Sequence, residues 1–346
     1  MSFGQYTVSI LSTNGFDQSQ YCALLGDKTA GYAVTFSGSV HAMMWNKDGS
    51  QNTDLHSSNY GDTKVLGLSG TTQVGIGTDA DDVVHALLWH GTASSVVDLQ
   101  PANWDSTWAY GASDHGQVGS GYSGTLFGNG SKHALYWNGS ASSLIDLHPA
   151  GAFWSEANGI GPDYEAGYVY GNGGSRPFLW HDTAESGIDL TPNGYGGGEV
   201  DAVGANRQVG YLYTPGSHRH ATVWSGTANS YVDLHPLGYD ESYANAVSWS
   251  GEYQVGYAMG YQIGDRAMLW RGSSGSTVDL SSYLSSLPYS FDWSTAYGVN
   301  DDGTIIGQIG DFNGNDYGVK WTPVPEPTSI FVIVLGLGFL ARRRTK

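Results

Sequence analysis

"HALLWHGTASSVVDL", residues 85–99, sets the reading of the whole chain. An apolar run ending at Trp89 is followed by His90-Gly91, a polar turn and then Val96-Val97-Asp98-Leu99. Two short β-prone runs around an X-Gly step read as a hairpin, because Gly adopts the positive φ of a tight reversal without strain. The pattern recurs as His41-Ala42-Met43-Met44-Trp45, His133-Ala134-Leu135-Tyr136-Trp137, Arg176-Pro177-Phe178-Leu179-Trp180, His220-Ala221-Thr222-Val223-Trp224 and Arg266-Ala267-Met268-Leu269-Trp270. Tyr317-Gly318-Val319-Lys320-Trp321 is a reduced seventh copy, and successive tryptophans stand 44, 48, 43, 44, 46 and 51 residues apart. Nine residues after each of the first six comes an Asp-Leu pair: Asp54-Leu55, Asp98-Leu99, Asp146-Leu147, Asp189-Leu190, Asp233-Leu234 and Asp279-Leu280. A glycine closing a "QVG"-like triplet precedes each Trp, at Gly31, Gly75, Gly119, Gly167, Gly210, Gly256 and Gly307.

Each unit reads as four strands of four to six residues, and no stretch of the body keeps a 3.6-residue period. Four-strand units repeating every 40–50 residues define an all-β fold, a seven-bladed β-propeller, with residues 1–322 as its body. Blades covered on both faces explain apolar runs in place of alternation. The small Ala lets neighbouring blades approach, and the Trp is expected farther out in the widening gap. The seventh copy runs from Trp321 into Thr322-Pro323 without a fourth strand, whereas Tyr6-Thr7-Val8-Ser9-Ile10-Leu11 resembles the fourth-strand segment Ser230–Leu234. A ring that protects its sheet edges is therefore expected to close with the N-terminal strand.

Composition narrows function by exclusion. The 346 residues include 51 glycines and carry a net charge of −18, which repels phosphate backbones and argues against nucleic acid as a partner. The single cysteine, Cys22, rules out an intrachain disulfide. No nucleophile elbow, phosphate loop, His-Glu-x-x-His or paired-cysteine metal site is present. His41, His85, His133 and His220 share one repeat position and read as blade-to-blade hydrogen-bonding groups, with the Asp of each Asp-Leu as a strand-end acceptor. His56, His148 and His235 follow Asp-Leu in three copies, on different blades and too far apart for one metal. Asp311, Asn313 and Asn315 place oxygen donors at alternate positions and are the calcium candidates; the twelfth position is Thr322, so this is no EF-hand, and a polar hairpin is the plainer reading. Asp79, Asp81 and Asp82 form a similar cluster. Aromatics in "NWDSTWAYG" (103–111) and "LPYSFDWSTAYG" (287–298) suit blade packing or stacking on sugar rings.

The "HA…W" and "DL" elements, with Ala296-Tyr297-Gly298-Val299-Asn300-Asp301-Asp302-Gly303, resemble the HAF family of extracellular repeats over most of residues 4–322. No His-bearing copy keeps the Phe of His-Ala-Phe. The resemblance implies an exported repeat protein and supplies no catalytic residues. At the other end, Val324-Pro325-Glu326-Pro327 precedes an apolar run, Ile330 to Ala341, and then Arg342-Arg343-Arg344. As a helix that run would span about 18 Å against a hydrocarbon core of about 30 Å, short for a lasting anchor. These three parts in order resemble a PEP-CTERM sorting signal, residues 323–346. That resemblance implies export in a Gram-negative bacterium, a short C-terminal transmembrane helix held transiently in the inner membrane, and removal of the tail by an exosortase. The mature form would lie at the cell surface or in an extracellular matrix. Met1-Ser2-Phe3-Gly4-Gln5 lacks the basic and apolar regions of a signal peptide, so the true start is expected upstream.

The function expected from the sequence is a non-enzymatic structural or adhesive role, binding exopolysaccharide through rim loops and using no cofactor. The alternative is a secreted propeller enzyme acting on polysaccharide with acidic residues at the central channel.

Overall fold

The computed structural model describes residues 5–11, 15–46, 51–124, 130–261, 263–288 and 290–325. Seven four-stranded antiparallel sheets follow one another as blades, and the chain is a seven-bladed β-propeller. In the last sheet the N-terminal strand Tyr6–Ile10 is the outermost member, paired with Asp316–Pro323 so that Val8 faces Trp321. The ring closes as the sequence predicts. The strand lengths differ from expectation: the first three strands of each blade have six to nine residues, and the fourth has two or three in the first six blades and five, Tyr6–Ile10, in the last. The X-Gly step is not a simple hairpin either. In four blades a 3₁₀ turn such as Ala93–Ser95 or Ala228–Ser230 follows it, and in the fourth blade Ala184–Ser186 follows His181-Asp182, consuming residues that would have lengthened the fourth strand.

Buried apolar residues form seven clusters, each bridging two neighbouring blades. Ala42 and Leu55 of the first blade meet Trp89 of the second, Ala86 and Leu99 meet Trp137, and Ala221 and Leu234 meet Trp270. Ala and Trp are three apart in one strand, so the two-residue period sends them to opposite faces. The Trp thus fills the gap toward the preceding blade, opposite its small neighbour, and not farther out on the same face. All seven repeat tryptophans are at most 1% exposed.

The repeated glycine has a steric cause. Each innermost strand carries a bulge opposite it, as between Val65 and Gly67 or Ala244 and Ala246. A Cβ on Gly75 would sit 1.9 Å from the Lys64 carbonyl oxygen, and the equivalent atoms at Gly31, Gly119, Gly167, Gly210, Gly256 and Gly307 would sit 1.8–2.1 Å from theirs. Bulge and glycine are one device, which bends the inner strand around the axis.

The polar repeat positions are equally regular. His41 Nδ1 lies 2.8 Å from Asp54 Oδ2, and His85–Asp98, His133–Asp146 and His220–Asp233 match it at 2.7–2.8 Å. These pairs join the third and fourth strands of one blade, so the blade-to-blade expectation for this histidine is corrected. The link between blades is made one step on. Thr63 Oγ1, on the next blade, accepts from Ala42 N at 2.9 Å and meets His56 Nδ1 at 3.0 Å. Ser155 and Ser242 do the same for Ala134 with His148 and for Ala221 with His235. Each second histidine stacks on the first at 3.9–4.0 Å, and burial together with that neighbour lowers its pKa, favouring the neutral ring. The Asp carboxylates also accept from the backbone two residues on, as expected of a strand-end acceptor.

Candidate functional site

The seven innermost strands ring the axis with their first residues at one mouth and their last at the other. The mouth at their ends is apolar, a funnel of about 600 Å³ ringed by Leu24, Leu68, Ile160, Val203, Val247 and Val299. Two of its polar groups link neighbouring blades. Asn300 exchanges two hydrogen bonds with the Gly26 backbone, at 2.8 and 3.1 Å, and Asp301 accepts from Ser250 N at 2.8 Å.

The opposite mouth carries the chemistry. The inner strands Trp154–Ile160 and Gly197–Val203 bring Glu156, Glu199 and Asp201 to the axis. Asp201 is the bulged residue of its strand, set between Val200 and Ala202, and no side chain among the described residues pairs with it. Burial first, then the charges of Glu199 and Glu156, push its pKa well above the ordinary carboxylate range. Glu156 is held by an ion pair with Lys132 and by Ser120 Oγ at 3.2 Å, and Glu199 by Ser175 Oγ at 3.1 Å. One carboxyl that favours its proton thus stands beside two carboxylates with partners.

Aromatic rings surround these groups. Trp154 stacks on Tyr170 with centroids 4.8 Å apart and is 47% exposed, so one indole face is open to solvent. Tyr243 stacks on Tyr257 at 4.7 Å, and Tyr211 meets Tyr243 edge-on at 5.3 Å. Arg219 donates to the hydroxyls of Tyr213 at 3.0 Å and Tyr243 at 2.6 Å and lies over three tyrosine rings, which fixes this wall. Trp154, Tyr168, Tyr170, Glu199 and Tyr213 line a cleft of about 400 Å³ between the fourth and fifth blades.

The repeat breaks at this junction. Pro177 has no N–H where other blades offer Ala N–H, and Gly198 has no hydroxyl where they offer Thr or Ser. Donor and acceptor are lost together, and the Thr191 hydroxyl, which would have met that acceptor, is buried without a partner among the described residues. Backbones close up instead: a Cβ on Gly197 would lie 2.0 Å from the Ser175 carbonyl oxygen. A departure of this kind from an otherwise uniform pattern is where function is expected to reside.

The sequence-derived candidates fall as follows. Asp311 Oδ1 accepts from the backbone of Asn313 and Asn315 at 2.8 and 2.9 Å, and Oδ2 from Asn315 Nδ2 and Tyr317 at 3.0 and 3.2 Å. Its carboxylate is engaged within its own hairpin. Asp79 likewise accepts from Asp81 N and Val83 N at 2.9 Å. No group of three metal-ligating side chains occurs among the described residues. Of the aromatic loops, Trp104 is buried against Leu135, while Trp293 lines a cavity. Val324 and Pro325 leave the last blade, Val324 N donating to Gln5 O at 2.7 Å. Glu326, Pro327, Arg342, Arg343 and Arg344, with the expected membrane helix, lie outside the described residues. No helix among the described residues is long and apolar enough to cross a membrane. Trp154, Tyr170 and Asp201 were missed by sequence reasoning; they keep fixed offsets from repeat glycines, and aligning those columns would have exposed the acidic and aromatic substitutions.

The fold and its two unlike mouths place the chain among seven-bladed propellers. Protein-family models and curated protein sequences give no match. Among solved structures, a puromycin hydrolase S511A mutant complexed with PGG aligns with a TM-score of 0.62 and 10% identity over 89% of this chain and 52% of that one. The β-propeller domain of the Trilobed protease from Pyrococcus furiosus, described as having an open velcro topology, gives 0.57 and 10% over 88% and 95%. TolB from Acinetobacter baumannii gives 0.51 and 12% over 73% and 63%. The chain therefore spans about half of the hydrolase and under two thirds of TolB, and at these identities the likeness is one of fold.

Proposed function

We propose that the chain is an exported, non-enzymatic protein of a Gram-negative cell surface or extracellular matrix, which binds exopolysaccharide at the aromatic–acidic mouth. The observation that carries this reading is the half-exposed Trp154 backed by Tyr170 beside a polar cleft: sugar rings present apolar C–H faces to aromatic planes and hydroxyls to carboxylates and amides. The PEP-CTERM-like tail supports the address, with exosortase as the processing partner and the inner membrane as a transient anchor through the C-terminal apolar helix. Intact mass of the protein from its native host tests the address. A mature chain ending before Arg342 supports it, and one retaining Arg342 to Lys346 defeats it. A glycan screen on the purified chain tests the binding.

A second reading, a propeller enzyme acting on polysaccharide, is favoured by Asp201. A carboxyl that favours its proton, set beside the Glu156 and Glu199 side chains, is the kind of carboxyl pairing that acid–base cleavage of a glycosidic bond uses. Release of reducing ends, abolished by Asp201→Asn with binding intact, would establish this reading over the first.

A further inference from the structure

We propose that a second cavity, between the sixth and seventh blades, is a subsite for a protonated amino sugar. The inference rests on the glycan-binding reading and names the class of glycan. The cavity holds about 600 Å³ and is lined by Asn245, Tyr257, Asp265, Trp293, Thr295 and Tyr297. Its walls are three aromatic side chains. Trp293 lies flat against the neighbouring strand, where a Cβ on Gly310 would come within 2.0 Å of the indole nitrogen. Glycine at 310 is thus a condition for the indole to lie there.

Asp265 and the Asn245 carbonyl offer acceptors, while the Thr295, Tyr257 and Tyr297 hydroxyls can donate or accept. No side chain among the described residues pairs with the Asp265 carboxylate, although burial raises its pKa. The nearest cation, Arg266, bonds backbone oxygens, Asp265 O at 3.2 Å and Asp292 O at 2.7 Å, and its charge only partly offsets the effect of burial on the Asp265 carboxyl. Asn245 donates its amide to Ala296 O at 3.0 Å, which leaves its carbonyl for a ligand donor. An unpaired carboxylate walled by electron-rich ring faces selects a compact cation, and a cavity of this size admits a pyranose ring with it. A neutral sugar would offer the half-buried carboxylate hydroxyl donors but no countercharge, and an anionic one would be repelled. A free ammonium on the sugar supplies three donors to Asp265 and Asn245, and the ring covers Trp293 or Tyr257.

The test is calorimetry of the full chain with three hexasaccharides at low salt: a β-linked glucosamine oligomer, its N-acetylated counterpart and a neutral β-glucan. The amine form is expected to bind at least tenfold more tightly than the other two. Asp265→Asn, nearly isosteric, should bring it to their level with the melting temperature unchanged. Equal affinity for all three, or a preference that survives Asp265→Asn, overturns the subsite while leaving glycan binding at Trp154 intact. Absence of binding to any of the three and to a wider glycan array overturns both readings. If Asp265→Asn lowers the melting temperature, N-acetylation of the ligand against the unaltered protein decides the matter alone.

Discussion

Glu165 occupies the position that Gln73, Gln117, Gln208 and Gln254 hold in other blades. Each glutamine accepts from the glycine N–H of its X-Gly step at 2.7–2.8 Å, and Glu165 Oε2 accepts from Asp182 N at 3.0 Å. Glu165 is 1% exposed, and burial raises its pKa from 4.5 to about 7, with the Asp182 charge assisting. The folded protein therefore holds this proton more tightly than the unfolded chain does. Stability falls as pH rises from about 4.5 to about 7 and is lowest above that window, where the ionised form is buried. The difference corresponds to about 3 kcal/mol at 1.36 kcal/mol per pH unit. Glu165→Gln keeps the acceptor and removes the charge. Denaturant unfolding of both proteins at pH 5 and pH 8 should show little gain at pH 5 and a gain approaching ~3 kcal/mol at pH 8. Because both proteins share every other titrating group, their difference isolates this one. An equal gain at both pH values, or a loss at pH 8, would refute the reasoning.

Removing residues 1–11 strips Tyr6, Leu11 and an entire outer strand from the last blade. The melting temperature should fall sharply, with recovery when a peptide of residues 5–11 is added in excess; an unchanged melting curve would contradict closure by this strand. Gly75→Ala puts a Cβ against the Lys64 carbonyl and should cost over about 3 kcal/mol or prevent folding. Gly91→Ala, at φ +79° with open space around it, should cost about 1 kcal/mol, so similar losses at the two sites would remove the bulge argument. Ser242→Ala orphans the buried Ala221 N–H and should destabilise by about 1–3 kcal/mol in chemical denaturation, whereas a neutral result would mean that water replaces the hydroxyl.

The blade count and the closing strand were legible because the Trp and Gly are dictated by the same contact in all seven copies and the Asp-Leu pair recurs in the first six. The His–Asp pairing was not read, although the partners stand 13 residues apart in all four blades: the histidines were given to blade contacts and the aspartates to strand ends. Adjacency between strands three and four follows from that spacing, whereas a contact between blades would not. The length of the fourth strand was not legible, because nothing in "GTASSVVDL" separates a 3₁₀ turn from an extended run. The site was hidden for a different reason. Glu156 lies in a different copy from Glu199 and Asp201, and only the adjacency of the two blades brings them together. Pro177 and Gly198 look like unrelated lapses of the repeat until the structure pairs them across one interface.

The central claim is that the aromatic–acidic mouth of this propeller is a glycan-binding face. The most direct measurement is the affinity of the full chain for an exopolysaccharide oligomer selected in the glycan screen, compared with Trp154→Ala and Trp249→Ala. The two tryptophans are 47% and 48% exposed at opposite mouths, so neither change should cost much stability. Loss of one stacking platform should weaken binding about tenfold or more in Trp154→Ala and leave Trp249→Ala unchanged. Unchanged affinity in Trp154→Ala, or a loss confined to Trp249→Ala, would contradict the account.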